Sequence, residues 1–142
     1  MERIDIEQIK KIMPHREPML LVEMVEKTSE STCSGYYTVK GTEFFLQGHF
    51  PGNPVVPGVI LCEMMAQSTC LLFDPNGATP YFTSLNNVKF RATVKPGDKI
   101  RFDCILNRRN GVFCFTSGKG YVGDKLCVSA DLSFALIKEN NN

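Results

Sequence analysis

Apolar residues crowd one stretch of the chain more densely than any other, the run from Val59 to Phe73 (VILCEMMAQSTCLLF). It contains no Gly or Pro, and at 1.5 Å rise per residue it suits about four helical turns. Val59, Ile60, Leu61, Cys62, Met64, Met65, Ala66, Leu71, Leu72 and Phe73 surround the cylinder, and a helix that is apolar all round is a buried one. Pro51, Pro54 and Pro57 stiffen the loop before it, and Pro57 suits the first helical position. Upstream, Ile6, Ile9, Ile12 and Met13 share one helical face behind Asp5, a good N-cap, and Pro14 ends that short helix.

The remaining pattern is that of strands. Met19 to Glu26 and Cys33 to Lys40 read as two, with a turn at Thr28 to Ser31 between them, and Glu43 to Leu46 suits a single helical turn. Asp74-Pro75-Asn76-Gly77 is a strong breaker. Tyr81 to Val94 then reads as a strand, irregular at Asn86-Asn87, and Lys95-Pro96-Gly97-Asp98 as a type II turn. Ile100, Phe102, Cys104 and Leu106 alternate with polar residues as far as Asn110-Gly111, a hairpin signal leading into Val112 to Val122. Kinks are expected at Gly118 and Gly120. Gly123-Asp124-Lys125 makes the last turn, and Leu126, Val128, Ala130, Leu132, Phe134 and Leu136 mark one buried face of a final strand. The tail from Glu139 is expected to fray.

These elements predict one α+β domain over residues 1–142, with an antiparallel sheet of five or six strands wrapped around a central helix. One sheet covers only part of such a helix, which argues for a partner subunit. Composition agrees with this picture: 142 residues, 43% hydrophobic and 22% charged, are enough for a real core. The formal net charge of +1 gives no electrostatic case for nucleic acid or a membrane surface. The apolar run falls short of the roughly 20 residues a membrane span needs. Glu2, Arg3, Asp5 and Glu7 are unlike a signal peptide, so the expected location is cytoplasmic. Six scattered cysteines without a close pair argue for reduced, packed thiols rather than zinc or disulfides.

Two groups stand out against this apolar background. Glu63 is the lone carboxylate within the helical run, and His49 precedes the proline loop that leads into it. At the helix start the N–H of Gly58 has no intrahelical acceptor and can hold an oxyanion, with no Cβ in the way. Glu63 follows about 7.5 Å along the axis. A buried, unpaired carboxyl stays near its protonated form and makes a general acid; histidine is the natural base beside it. Together they suit proton abstraction next to a carbonyl. The plainer readings are a structural histidine and a buried ion pair between Glu63 and an arginine. His15 and His49 have no metal-ligand spacing, and no metal site is expected.

The sequence from Gly48 to Ile60, GHFPGNPVVPGVI, followed by Glu63-Met64-Met65-Ala66-Gln67, closely resembles the bacterial (3R)-hydroxyacyl-acyl carrier protein dehydratases of the FabZ type. Met13-Pro14-His15-Arg16, Leu20-Leu21-Val22, Asn87-Val88-Lys89-Phe90-Arg91 and Val94 to Asp98 extend the resemblance over most of the chain. It implies a hot-dog fold, a homodimer, usually a trimer of dimers, and a site taking its histidine from one subunit and its acid from the other. By motif position, His49 would remove the C2 proton and Glu63 would help expel the C3 hydroxyl. The Gly58 N–H would hold the thioester oxygen, the Val55 carbonyl would orient the imidazole, and Gln67 would support Glu63. Phe50, Val59, Ile60 and Phe90 are candidate tunnel walls. The implied partner is acyl carrier protein bearing a 3-hydroxyacyl chain, with no cofactor. Lys89, Arg91, Lys95, Arg108 and Arg109 are candidates for meeting that acidic protein, against the plain reading of a solvated strand face. Glu17 and Glu23 depart from the family pattern, and His15 reads as part of a structural loop. The alternatives are a FabA-like dehydratase and isomerase, a hot-dog thioesterase, and a catalytically silent acyl-binding protein.

Overall fold

The protein is described by a computed structural model covering residues 2–73 and 77–138. Its strands are β1 (Glu2–Asp5), β2 (Met24–Lys27), β3 (Thr32–Thr38), β4 (Thr79–Phe90), β5 (Lys99–Asn110), β6 (Phe113–Val122) and β7 (Lys125–Ile137). The helices are α1 (Ile6–Ile12) and α2 (Gly58–Ser68), with a 3-10 turn at Phe44–Leu46. All seven strands join one antiparallel sheet in the order β1-β2-β3-β5-β6-β7-β4. The expected breaker at Asp74 to Asn76 and the tail from Glu139 lie outside the described residues. No helix among the described residues is long and apolar enough to cross a membrane.

The sheet curls around α2, whose Met64 and Met65 are fully buried against Phe102, Ile100 and Leu132 in one continuous core. Two glycines let the strands come this close. At Gly35 in β3 a Cβ would run into Ser68 Oγ and Cβ and lie 3.0 Å from the Ser68 Cα. At Gly118 in β6 it would lie 2.7 Å from Met65 Sδ. Gly118 is therefore a close-packing position rather than the expected kink; the register shift in this ladder falls between Gly120 and Tyr121.

Helix α2 is shorter than its apolar run. It ends at Ser68, about three turns from its start. Local hydroxyls compete for its last carbonyls: Ser68 Oγ donates to Met64 O at 2.8 Å, and Thr69 Oγ1 to Ala66 O at 2.6 Å. The all-round burial expected of α2 also fails on one side, where Val59 is 70% exposed. Nearby, Phe50 and Phe90 are each 53% exposed. Tyr81, Phe82 and Leu85 are exposed on β4, which among the described strands lies at the sheet's edge beside β7.

Three further expectations are corrected or refined. The predicted strand from Met19 to Glu26 pairs only over Met24–Lys27. Leu20, Leu21 and Val22 are buried in an extended segment whose Leu21 N–H is taken by a side chain, not a neighbouring strand. Strand β1 was not expected, because four residues with only Ile4 buried carry no readable alternation. The irregularity expected at Asn86-Asn87 is present: Asn87 has φ 52° and its Nδ2 donates to Asp131 Oδ2 at 2.8 Å. Asp5 caps α1 as expected, in a reciprocal pair with Gln8. All six cysteines are free and buried.

Gly35→Ala should destabilise the fold by about 2–4 kcal/mol, because the added methyl meets not only the Ser68 Oγ but also its Cβ and Cα, which the helix holds in place. Thermal unfolding measures this. A variant melting with the wild type would refute the close β3–α2 contact.

Candidate active site

His49 is held from three directions. Its N–H donates to Leu46 O at 3.1 Å, its C=O accepts from Val55 N at 2.9 Å, and its Nδ1 lies 3.0 Å from Val55 O. A carbonyl only accepts, so Nδ1 carries a proton, and in the neutral ring the lone pair sits on Nε2. The loop closes through paired bonds between Phe50 and Asn53, and Val56 N donates to Val94 O at 2.8 Å. Gly48 and Gly52 take φ of 78° and 72°, turns that favour glycine. The Phe50 ring stacks on the imidazole at 4.1 Å, and the peptide between the two is cis.

Gly58 opens α2, so its N–H and that of Val59 have no carbonyl one turn back to bond. The expected reason for the glycine was room for a substrate carbonyl. The structure supplies another: the Phe90 ring covers its Cα, and a Cβ would lie 2.7 Å from ring carbons. Phe90 thereby borders the helix tip.

Glu63 is paired neither with an arginine nor left alone. Its Oε2 accepts from Gln67 Nε2 at 2.8 Å and lies 3.5 Å from His15 Nε2. Burial works to raise its pKa. The donors on His15 and Gln67, with the electrostatic pull of the imidazole, outweigh burial and hold the carboxyl below the ordinary glutamate range. The expectation of a carboxyl held near its protonated form is thus corrected for the unliganded protein. Gln67, only 1% exposed, has further duties: its Oε1 accepts from Leu21 N at 2.7 Å and its Nε2 also donates to Met19 O at 2.8 Å.

The loop after α1 brings His15 to this point. Pro14 ends the helix, and Arg16 folds back so that its guanidinium donates to Met13 O, His15 O and Lys10 O at 3.0, 2.7 and 3.2 Å. Glu17 is engaged by Lys10 at 3.0 Å, which occupies the departure from the family pattern without touching Glu63. Sequence reasoning placed His15 in a structural loop. No spacing rule brings a residue after α1 to the middle of α2, and only the fold does so.

A small cleft of about 50 Å³ adjoins Glu63, lined by Met13, His15, Ala66, Gln67, Phe73, Pro80, Phe82 and Phe134. The expected wall residues Phe50, Val59, Ile60 and Phe90 do not line it. Nor does His49: among the described residues no bond, ion pair or shared cleft joins His49 to Glu63 within one protomer. The candidate basic residues form two groups. Arg109 is level with Phe82 across the sheet, seven residues along β4 from Lys89, so on the order of 20 Å separates them. Lys89 and Arg91 share the rim of an open basin on the outer sheet face, away from Phe90.

One seven-stranded antiparallel sheet curled around a central helix is the hot-dog fold. A chain of the dehydratase heterocomplex ApeI:P from Xenorhabdus doucetiae superposes with a TM-score of 0.80 at 20% identity, over 92% of this chain and 91% of that one. Fold alone does not fix activity, because a sigma28-regulated virulence protein of Campylobacter jejuni also superposes, with a TM-score of 0.70 at 9% identity over 96% and 92%. Sequence is more specific. The family model of the ApeI dehydratases, described as ApeI-like, matches residues 11–130. A 3-hydroxyacyl-acyl-carrier-protein dehydratase FabZ of Alkaliphilus metalliredigens is 42% identical over 140 residues, 95% of each chain. That of Natranaerobius thermophilus is 39% identical, over 95% of this chain and 99% of the other. The chain belongs to the FabZ family of dehydratases.

Gln67→Leu leaves the buried Leu21 N–H without an acceptor and frees Glu63 on one side. A loss of about 1–3 kcal/mol in denaturant unfolding is expected. Unchanged stability would show that the amide does not tie α2 to the 19–21 segment.

Proposed function

We propose that the protein dehydrates a (3R)-3-hydroxyacyl chain, carried as a thioester on acyl carrier protein, to the trans-2-enoyl thioester in the cytoplasm. The observation that carries the mechanism is the bond from His49 Nδ1 to Val55 O, which leaves Nε2 as the basic atom of a rigidly held ring. Full-length likeness to FabZ enzymes supports the substrate class. His49 Nε2 takes the C2 proton, and the electron pair moves toward the thioester oxygen. The free N–H of Gly58 meets that oxygen at the positive end of α2. The C3–O bond then breaks, and the oxygen leaves as water with a proton delivered by Glu63, directly or through a bridging water. Glu63 starts as a carboxylate in the free site; entry of the acyl chain excludes water and favours the acid, which forms by uptake of one proton from solvent. The proton on His49 passes to solvent, so one water is released per enoyl thioester and both groups are reset.

The working unit in this reading is a homodimer, three of which assemble into a hexamer. Within one protomer the histidine and the acid face different surroundings, and β4, the last strand of the sheet among the described residues, bears exposed Phe82 and Leu85. A second copy docked along that edge covers these side chains and the exposed Val59, and brings its own Glu63 toward the first copy's His49. Lys89 and Arg91, on the rim of the open basin on the outer sheet face, are the candidates to meet the acidic carrier protein, with Lys95 in the turn after β4. Arg108 is stacked on Phe115 at the far hairpin.

Incubation with a ten-carbon 3-hydroxyacyl thioester on carrier protein should yield the trans-2-enoyl product, read by mass spectrometry. His49→Ala should lower kcat by about 10²–10⁴-fold with circular dichroism unchanged. Turnover unaffected by His49→Ala would remove the mechanism. The cis-3 isomer would place the chain with the FabA-like enzymes, and free thiol would make it a thioesterase.

A further inference from the structure

Both partners of the Glu63 carboxylate meet the same atom. Gln67 Nε2 donates to Oε2 at 2.8 Å, and His15 Nε2 stands 3.5 Å from Oε2. Among the described residues nothing bonds Oε1. For the imidazole to support a carboxylate oxygen, its proton must sit on Nε2. That leaves Nδ1, which is buried and has no hydrogen-bond partner. A buried polar atom without a partner costs free energy and calls for a reason. A ring kept only for packing would turn or be replaced so that both nitrogens were satisfied.

The backbone around the ring is also fixed. Arg16 bonds the carbonyls of Met13 and His15, and the residue between them, Pro14, has its φ fixed by its ring, so the imidazole has little freedom to withdraw from Glu63. Among the described residues, His15 and Glu63 are the only titratable side chains lining the cleft; its other walls include the apolar Met13, Phe73, Phe82 and Phe134, with Gln67.

From this geometry we infer that His15 is a positioning residue: with Gln67 it grips Glu63 by Oε2, so that Oε1 alone meets the substrate and carries the proton that leaves with the C3 oxygen. Two N–H donors on Oε2 disfavour a proton there, so a protonated Glu63 holds it on Oε1. The carboxyl is thereby aimed as well as tuned, since donors on its charged form lower its pKa. This assignment rests on the reading of Glu63 as the acid of the dehydration.

Two substitutions separate reach from polarity. In His15→Gln the amide nitrogen ends where Nε2 stands, and in His15→Asn it ends near Nδ1, short of Glu63. His15→Asn should lower kcat about tenfold or more with KM within about twofold, whereas His15→Gln should stay within about threefold of wild type. Without the donor, the Glu63 carboxyl should titrate at higher pH in His15→Asn, followed by carbon-13 NMR of labelled glutamate, and near its wild-type position in His15→Gln. In a Glu63→Gln background His15→Asn should cost no further turnover. Equal kinetic loss in both backgrounds, equal losses for the Asn and Gln variants, or an unmoved carboxyl titration in His15→Asn would each overturn the assignment. The titration needs no substrate. A wild-type protein that dehydrates nothing would sink the proposed function while the NMR measurement still judged the His15 contact.

Discussion

The buried carboxamide of Gln67 is the joint on which the site depends. One side chain accepts from Leu21 N and donates to Met19 O and to Glu63, so it binds the central helix, the strandless 19–21 segment and the acidic group into one unit. Each of these partners is a polar group in an apolar setting, and leaving one unmade costs more than the bond itself contributes. The amide therefore sets where the segment after α1 runs. That course in turn sets where Pro14, His15 and Arg16 lie, because the Arg16 guanidinium closes the same loop on α1. Glu63 inherits its surroundings from this chain of constraints, not from its own helix alone.

Much of the fold was legible because it follows from period and punctuation. The alternation from Leu126 to Leu136, the Asn110-Gly111 hairpin, the Lys95 to Asp98 turn and the Asp5 cap are local features, and each is found where the pattern puts it. What escaped depends on contacts distant in sequence. The end of α2 at Ser68 is set by hydroxyls reaching back for Met64 and Ala66 carbonyls, and the Leu20-Leu21-Val22 run stays outside the sheet with its Leu21 N–H held by Gln67. Gly118 read as a kink because pattern cannot show that Met65 lies against it.

The site was partly legible for the same reason. The loop and helix start that carry His49, Val55 and Gly58 are contiguous, so their relation survives as spacing in the sequence. The Gln67 contact to Glu63 is likewise one helical turn. His15 and the aromatic cleft formed by Phe73, Phe82 and Phe134 arrive from other elements and leave no trace in local spacing. The state of Glu63 was misjudged on that account, because its second donor comes from outside the helix.

In the proposed chemistry the basic and acidic halves are divided. His49 stands at the exposed end of α2 beside Phe50 and Phe90, while Glu63 faces the cleft beneath the α1 loop. In the proposed dimer a second copy completes the arrangement on the side of the exposed apolar groups on β4 and at the helix tip. The most direct test mixes two inactive proteins, His49→Ala and Glu63→Ala, under conditions where subunits exchange, with exchange verified by mass spectrometry. If each site draws its base from one copy and its acid from the other, half of the dimers are mixed and each holds one intact site. Activity then returns to about a quarter of the wild-type level. Complete exchange with no recovery would contradict a site shared between copies.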